Sequence, residues 1–155
     1  MKTEKAEIRD ISALIELRLE YLHEDNGYLD EYEIEQIRNG LPAYFNSHLG
    51  KDLFCYVMRN GDEIASCAFL LLVEKPMSPA FLSGKTGTVL NVYTRPAYRH
   101  KGYAKMVLEA LLADAKQMEL CVLELKSTDA GYPLYRSLGF ADDVSKYHPM
   151  KLRDP

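Results

Sequence analysis

The chain has 155 residues, enough for one domain with a real core, and its 47% apolar and 27% charged content is that of an ordinary globular protein. A net charge of −4 argues against a broadly basic, polyanion-binding domain, and the longest apolar run, residues 68–73, is too short to span a bilayer. Cys55, Cys67 and Cys121 are an odd, scattered set that speaks against a disulfide framework or a metal site and for a reducing cytoplasm. The start, Met1-Lys2-Thr3-Glu4-Lys5, has no signal-peptide pattern.

In chain order, Glu7-Ile8-Arg9 reads as a short first strand, and Asp10 as the N-cap of a helix with Ile11, Leu14, Ile15, Leu17, Leu19 and Leu22 on its apolar face. His23-Glu24-Asp25-Asn26-Gly27 stops it. A second helical region covers about 30–49, with Tyr32, Ile34, Ile37, Leu41, Phe45 and Leu49 inward. Asn39-Gly40 and Pro42 predict that it is broken or kinked. Residues 53–59 form a strand, Asn60-Gly61-Asp62 a hairpin turn and 63–73 the returning strand; the missing polar alternation over 53–58 predicts burial on both faces. A long Pro-rich loop follows. It contains Ser83-Gly84-Lys85-Thr86, which is no phosphate-binding P-loop: Pro79 stands where that motif needs Gly, and the segment leads into a strand.

Residues 88–94 are a strand centred on Asn91. From Lys101 the period changes to that of a helix, with Ala104, Val107, Leu108, Leu111, Leu112 and Ala115 at three- and four-residue steps. Between them lies Arg99-His100-Lys101-Gly102-Tyr103-Ala104. Small residues at 102 and 104 let a ligand approach N–H groups that a first helical turn cannot pair, which predicts an anion site with phosphate as its guest. No Asp or Glu occurs between Glu74 and Glu109, while Lys75, Lys85, Arg95, Arg99, Lys101 and Lys105 do, so a local positive field is expected there. Residues 121–126 alternate as a strand, 132–138 form a short helix stopped by Gly139, and 147–152 read as a last edge strand. The whole predicts one α/β (α+β) domain over residues 1–155.

Arg99-x-x-Gly102-x-Ala104, after V-x-N-V-Y-T-R-P, resembles the acyl-CoA signature [RQ]-x-x-G-x-[GA] of the GNAT superfamily of N-acetyltransferases. Pro133-Leu134-Tyr135-Arg136-Ser137-Leu138-Gly139-Phe140 resembles that family's second signature, ending L-Y-x-x-x-G-F. The two together, in this order, are specific; the match is close over 86–140 and loose before it. The resemblance implies a central mixed, mostly antiparallel twisted sheet of six or seven strands with about four helices on both faces. It also implies acetyl-CoA as cosubstrate and transfer of acetyl to a primary amine of a small molecule or peptide.

The resemblance also places the site residues. Val92, Tyr93 and Thr94 would pair with the pantetheine arm through main-chain groups. Arg99, His100, Lys101, Gly102, Tyr103, Ala104 and Lys105 would cradle the pyrophosphate, with Thr128 replacing the family's frequent Asn and Gly131 its usual Ala. Tyr135 would be the general acid, since a phenol keeps its proton near neutral pH and can give it to a thiolate. Family members often carry a Glu base on the central strand; this chain has Asn91 and Tyr93 there, leaving an ordered water as the base, with Glu74 or Asp129 behind it. Acids over 24–35 suggest a rim for a cationic acceptor, or a solvated helix face, and Tyr21, Tyr28, Tyr32 and Tyr44 could line a pocket or pack. The rival readings are a non-catalytic acyl-CoA sensor on the same fold and a nucleotide or phosphometabolite binder. No metal, nucleic-acid or membrane partner is expected, and the chain permits a homodimer.

Overall fold

The computed structural model describes residues 2–155. Contacts divide the chain into two compact units, Met1–Leu125 and Lys126–Pro155. The first holds β1 (Thr3–Lys5), α1 (Ile11–Asn26), α2 (Glu31–His48), β2 (Leu53–Asn60), β3 (Glu63–Glu74), β4 (Lys85–Thr94), α3 (Tyr103–Gln117) and β5 (Val122–Glu124). The sheet order is β1-β2-β3-β4-β5, antiparallel except for the parallel β4–β5 pair.

Gly61, at φ +63, takes the first position of the two-residue β2–β3 turn, where glycine has no Cβ penalty. Both strands bury consecutive residues, Cys55, Tyr56, Val57 and Met58 in β2 and Ile64 through Leu70 in β3, because helices cover both sheet faces. On one face Leu14, Leu17, Phe45, Cys55, Val57, Cys67 and Phe69 form a core with α1 and α2. On the other, reached by the intervening residues of each strand, the Tyr56 hydroxyl donates to Asp114 Oδ2 of α3 at 2.8 Å, and α3 buries Val107, Leu108, Leu111 and Ala115.

The chain start departs from its sequence reading. The first strand is Thr3–Lys5, and Ile8–Asp10 is a 3-10 turn. Asp10 does not cap α1 with its side chain. Its Oδ2 instead accepts the Glu7 N–H and Arg59 Nη2, each at 2.8 Å, and Glu4 completes the ion pair with Arg59. Burial alone would raise the Asp10 pKa; the Arg59 hydrogen bond and charge, the Glu7 N–H and Arg9 outweigh it and hold it below the usual value. A carboxyl depressed in the folded state contributes stability above its unfolded pKa of about 3.9 and loses it as pH falls through the folded value. Asp10→Asn is therefore expected to cost about 1–3 kcal/mol at pH 7 and little near pH 2, measured by urea unfolding at both.

α2 runs unbroken through Pro42. Ile34, Ile37, Leu41, Tyr44 and Phe45, at three- and four-residue spacing, pack on the core, and this tertiary burial outweighs the bond that proline removes. Tyr32, expected inward, is 70% exposed.

The second unit contains α4 (Tyr132–Ser137), ended at Gly139 with φ +100. The expected strand at 147–152 is not formed. Val144, Tyr147, Met150 and Leu152 stay exposed, so this segment has neither a sheet partner nor a buried face. Five strands are therefore seen among the described residues where six or seven were expected.

Candidate active site

β4 carries an irregularity at its centre. Phe69 pairs with Leu90 but Cys67 with Tyr93, so one intervening residue of β3 faces two of β4, Asn91 and Val92. Asn91 sits at φ +52, a left-handed conformation that Asn tolerates better than most residues. Without the bulge, Leu90 and Tyr93 would point to opposite faces; with it both join the α1/α2 core. Asn91 is held there by Arg18 Nη1, which donates to its Oδ1 at 3.1 Å, and by Cys67, whose Sγ lies 3.6 Å from Asn91 Nδ2 and 3.5 Å from its carbonyl oxygen.

Pairing of β4 with β5 covers only Thr86–Thr88 against Val122–Glu124. Beyond Thr88, β4 keeps β3 on one edge and has no strand on the other among the described residues. Val92, Tyr93 and Thr94 lie on this half-paired stretch. Burial and the carboxylates of Glu20 and Glu24 push the Tyr93 phenol up, so it stays protonated.

The strand leads through a 3-10 turn, Pro96–Tyr98, to the start of α3. His100 and Gly102 have φ of +64 and +80 with Lys101 between them, the sign alternation of an anion-receiving nest. Met106 N–H donates to the Gly102 carbonyl at 3.1 Å, which leaves the N–H groups of Tyr103, Ala104 and Lys105 without intrahelical acceptors. The first turn holds no acid, and a Cβ built on Gly102 meets nothing within 4 Å. This concave, donor-rich helix start suits a diphosphate.

The side chain of the signature arginine is engaged within the protein. Arg99 Nε donates to the Thr94 carbonyl at 2.8 Å and its Nη2 to Glu24 Oε2 at 2.6 Å, with the guanidinium 5.6 Å from the Tyr93 ring centroid. Its side chain braces the end of β4. Arg95 pairs with Glu20 and Glu63, Lys75 with Glu124, and Lys105 lies 3.9 Å from Glu109. The expected positive field is thus largely answered by acids from elsewhere in the chain; Lys85 and Lys101 have no carboxylate partner among the described residues. The donors left open at this helix start are main-chain amides.

A cavity of about 250 Å³ opens on the α1/α2 face beside the bulge, lined by Arg18 of α1, Leu41, Tyr44 and Phe45 of α2, and Leu53, Phe69 and Leu90 of the sheet. Of the four tyrosines singled out above, Tyr44 lines it, Tyr21 packs edge-on against Tyr93, and Tyr28 and Tyr32 are exposed. The acids read as a rim have structural duties in part. Asp30 and Glu33 form a capping box at the start of α2, and Glu24 holds Arg99. Sequence reasoning missed Arg18, although it falls on the apolar stripe of Ile11, Leu14 and Ile15, where a charge stands out.

In the second unit, the Tyr135 ring lies T-shaped against Phe140 at 6.0 Å, and its N–H donates to the Gly131 carbonyl at 3.2 Å. A Cβ on Gly131 would come within 2.9 Å of Tyr135 Cε2. Glycine at 131, where the resembling family usually has Ala, thus leaves room for that ring. Thr128 Oγ1 accepts the Gly131 N–H at 3.1 Å and so braces the turn into α4.

A mixed, mostly antiparallel five-stranded sheet with helices on both faces and a central strand that parts from its parallel neighbour is a GNAT fold. The chain belongs to the acetyltransferase (GNAT) family, whose model matches residues 12–140, and acetyl-CoA is that family's cosubstrate. It is similar over 97% of its length to 95% of a "predicted acetyltransferase" of Clostridium acetobutylicum crystallised with acetyl-CoA, at 26% identity and a TM-score of 0.83. Two further likenesses show the fold alone. Glucosamine-6-phosphate N-acetyltransferase of Arabidopsis thaliana has 20% identity and a TM-score of 0.70, with 99% of this chain and 98% of that one covered. Ribosomal-protein-alanine N-acetyltransferase of Brucella melitensis has 17% identity and a TM-score of 0.68, with 97% and 100% covered. No curated protein matches the chain. Among the described residues, no helix is long and apolar enough to cross a membrane.

Proposed function

We propose that residues 1–155 act as a single cytoplasmic N-acetyltransferase domain that moves acetyl from acetyl-CoA to a primary amine of a small molecule or peptide. The supporting observation is the β4–α3 connection, where a half-paired strand edge runs into a helix start with unpaired N–H groups. Main-chain groups of Val92, Tyr93 and Thr94 hold the pantetheine arm as an added strand would. Those of His100, Lys101, Gly102, Tyr103, Ala104 and Lys105 receive the diphosphate, with Arg99 as their brace and the Thr128 hydroxyl on the arm.

Acetyl-CoA supplies a thioester whose carbonyl the amine attacks. The N–H groups of β4 polarise that carbonyl and hold it in line with the nitrogen. As the C–N bond forms and the C–S bond breaks, the electron pair goes to sulfur, and Tyr135 gives the thiolate its proton. The nitrogen's proton leaves to an ordered water. The test is thiol release from acetyl-CoA with polyamines, aminoglycosides, amino acids and peptides, alongside calorimetric binding of acetyl-CoA. Amine-dependent release is expected; binding without release to any acceptor would overturn catalysis in favour of an acyl-CoA sensor.

Because Gly131 leaves room for the Tyr135 ring, Gly131→Ala is expected to displace that ring and lower kcat by about 10- to 100-fold with acetyl-CoA affinity kept. A kcat equal to that of the unaltered protein would remove the positioning role from Gly131.

A further inference from the structure

Arg18 is set apart from the other arginines of the first unit. Arg9, Arg38, Arg59, Arg95 and Arg99 each pair with a carboxylate, and among the described residues Arg18 pairs with none. It is half-buried on the core stripe of α1. Of the five N–H donors of its guanidinium, Nη1 donates to Asn91 Oδ1 at 3.1 Å, and the group lies 5.8 Å from the Tyr21 ring centroid. A cation brought this far out of water is ordinarily matched by an anion. Here it looks into a cavity whose other lining residues are Leu41, Tyr44, Phe45, Leu53, Phe69 and Leu90.

That cavity is placed for an acceptor. Leu90 lines it, and the bulge turns Leu90 and Tyr93 to the same face, opposite Phe69 and Cys67 and so about 7 Å apart along the strand. At about 250 Å³ it is smaller than the 300–1,000 Å³ or so of most ligand pockets, a size for one side-chain-sized apolar group. Resting on the acetyltransferase reading above, we propose that the acceptor is a small amino acid-like amine. Its apolar or aromatic body fills this cavity, and its carboxylate pairs with the Arg18 guanidinium. This replaces the cationic acceptor suggested by the acids over 24–35, three of which have structural partners.

The first test uses the unaltered protein. Thiol release from acetyl-CoA is compared between phenylalanine and phenylalaninamide, and between leucine and leucinamide. The acids are expected to show kcat/KM about 30-fold or more above their amides, the scale of losing one partner of a desolvated charge pair. In Arg18→Met the ratio is expected to fall toward unity while calorimetric acetyl-CoA affinity stays unchanged. The second test needs no turnover: 3-phenylpropionate, which lacks the amine, is expected to bind the unaltered protein and not Arg18→Met, and 3-phenylpropanamide neither. Amides used as well as acids, or no use of any of the four amines by protein that still binds acetyl-CoA, would overturn this proposal and leave the cosubstrate reading standing. Failure to bind acetyl-CoA at all would remove the reading on which it rests, and the proposal with it.

Discussion

Tyr135→Phe is expected to lower kcat by about 10²- to 10⁴-fold while leaving the acetyl-CoA dissociation constant unchanged, the range for loss of a positioned general acid. Phenylalanine keeps the ring, so the T-shaped contact with Phe140 and the fit over Gly131 persist. What it lacks is the proton that the departing sulfur needs. The outcome that decides against this role is full turnover by the Phe variant across the pH range, which would mean that solvent protonates the thiolate unaided. A parallel rise in KM and fall in kcat would instead assign the hydroxyl to binding.

Gly102→Leu is expected to weaken acetyl-CoA binding by about 100-fold or more, the scale of one or two charge-assisted hydrogen bonds. Two effects act in the same direction. At φ +80 a side chain is strained by about 1–3 kcal/mol, so the first turn of α3 shifts to relieve it. The added side chain also enters open space, since nothing of the protein lies within 4 Å of a Cβ there. That same emptiness predicts that the variant folds, which makes calorimetry interpretable. Unchanged affinity in a folded Gly102→Leu protein would show that the diphosphate is held elsewhere.

The connection from β4 to α3 was legible in the sequence because its requirements are local: a β-branched run, a glycine at positive φ, then an apolar stripe at helical spacing. The β2–β3 hairpin was legible for the same reason. What failed depended on distant partners. Asp10 looked like a cap because Arg59, its actual partner, is 49 residues away. Pro42 looked like a break because the burial that keeps α2 whole is tertiary. Residues 147–152 read as a strand but pair with no other strand among the described residues. In the site, Gly102 and Tyr135 stood out through their motifs. Arg99 did so too, but its pairing with Glu24 was not legible, and Arg18 was missed, since ion pairing is a property of the assembled fold. The left-handed Asn91 left a faint mark: an asparagine amid β-branched residues is a reasonable place to look for a bulge.

The half-paired edge of β4 bears on how such chains diverge. A ligand recognised through peptide groups places little demand on which side chains flank them. Positions 92 and 94 can drift as long as the strand is kept, and only a few places, such as 102, are pinned by backbone conformation. A fold shared at 26% identity or less, as here, is what inheritance under such loose constraint would leave behind.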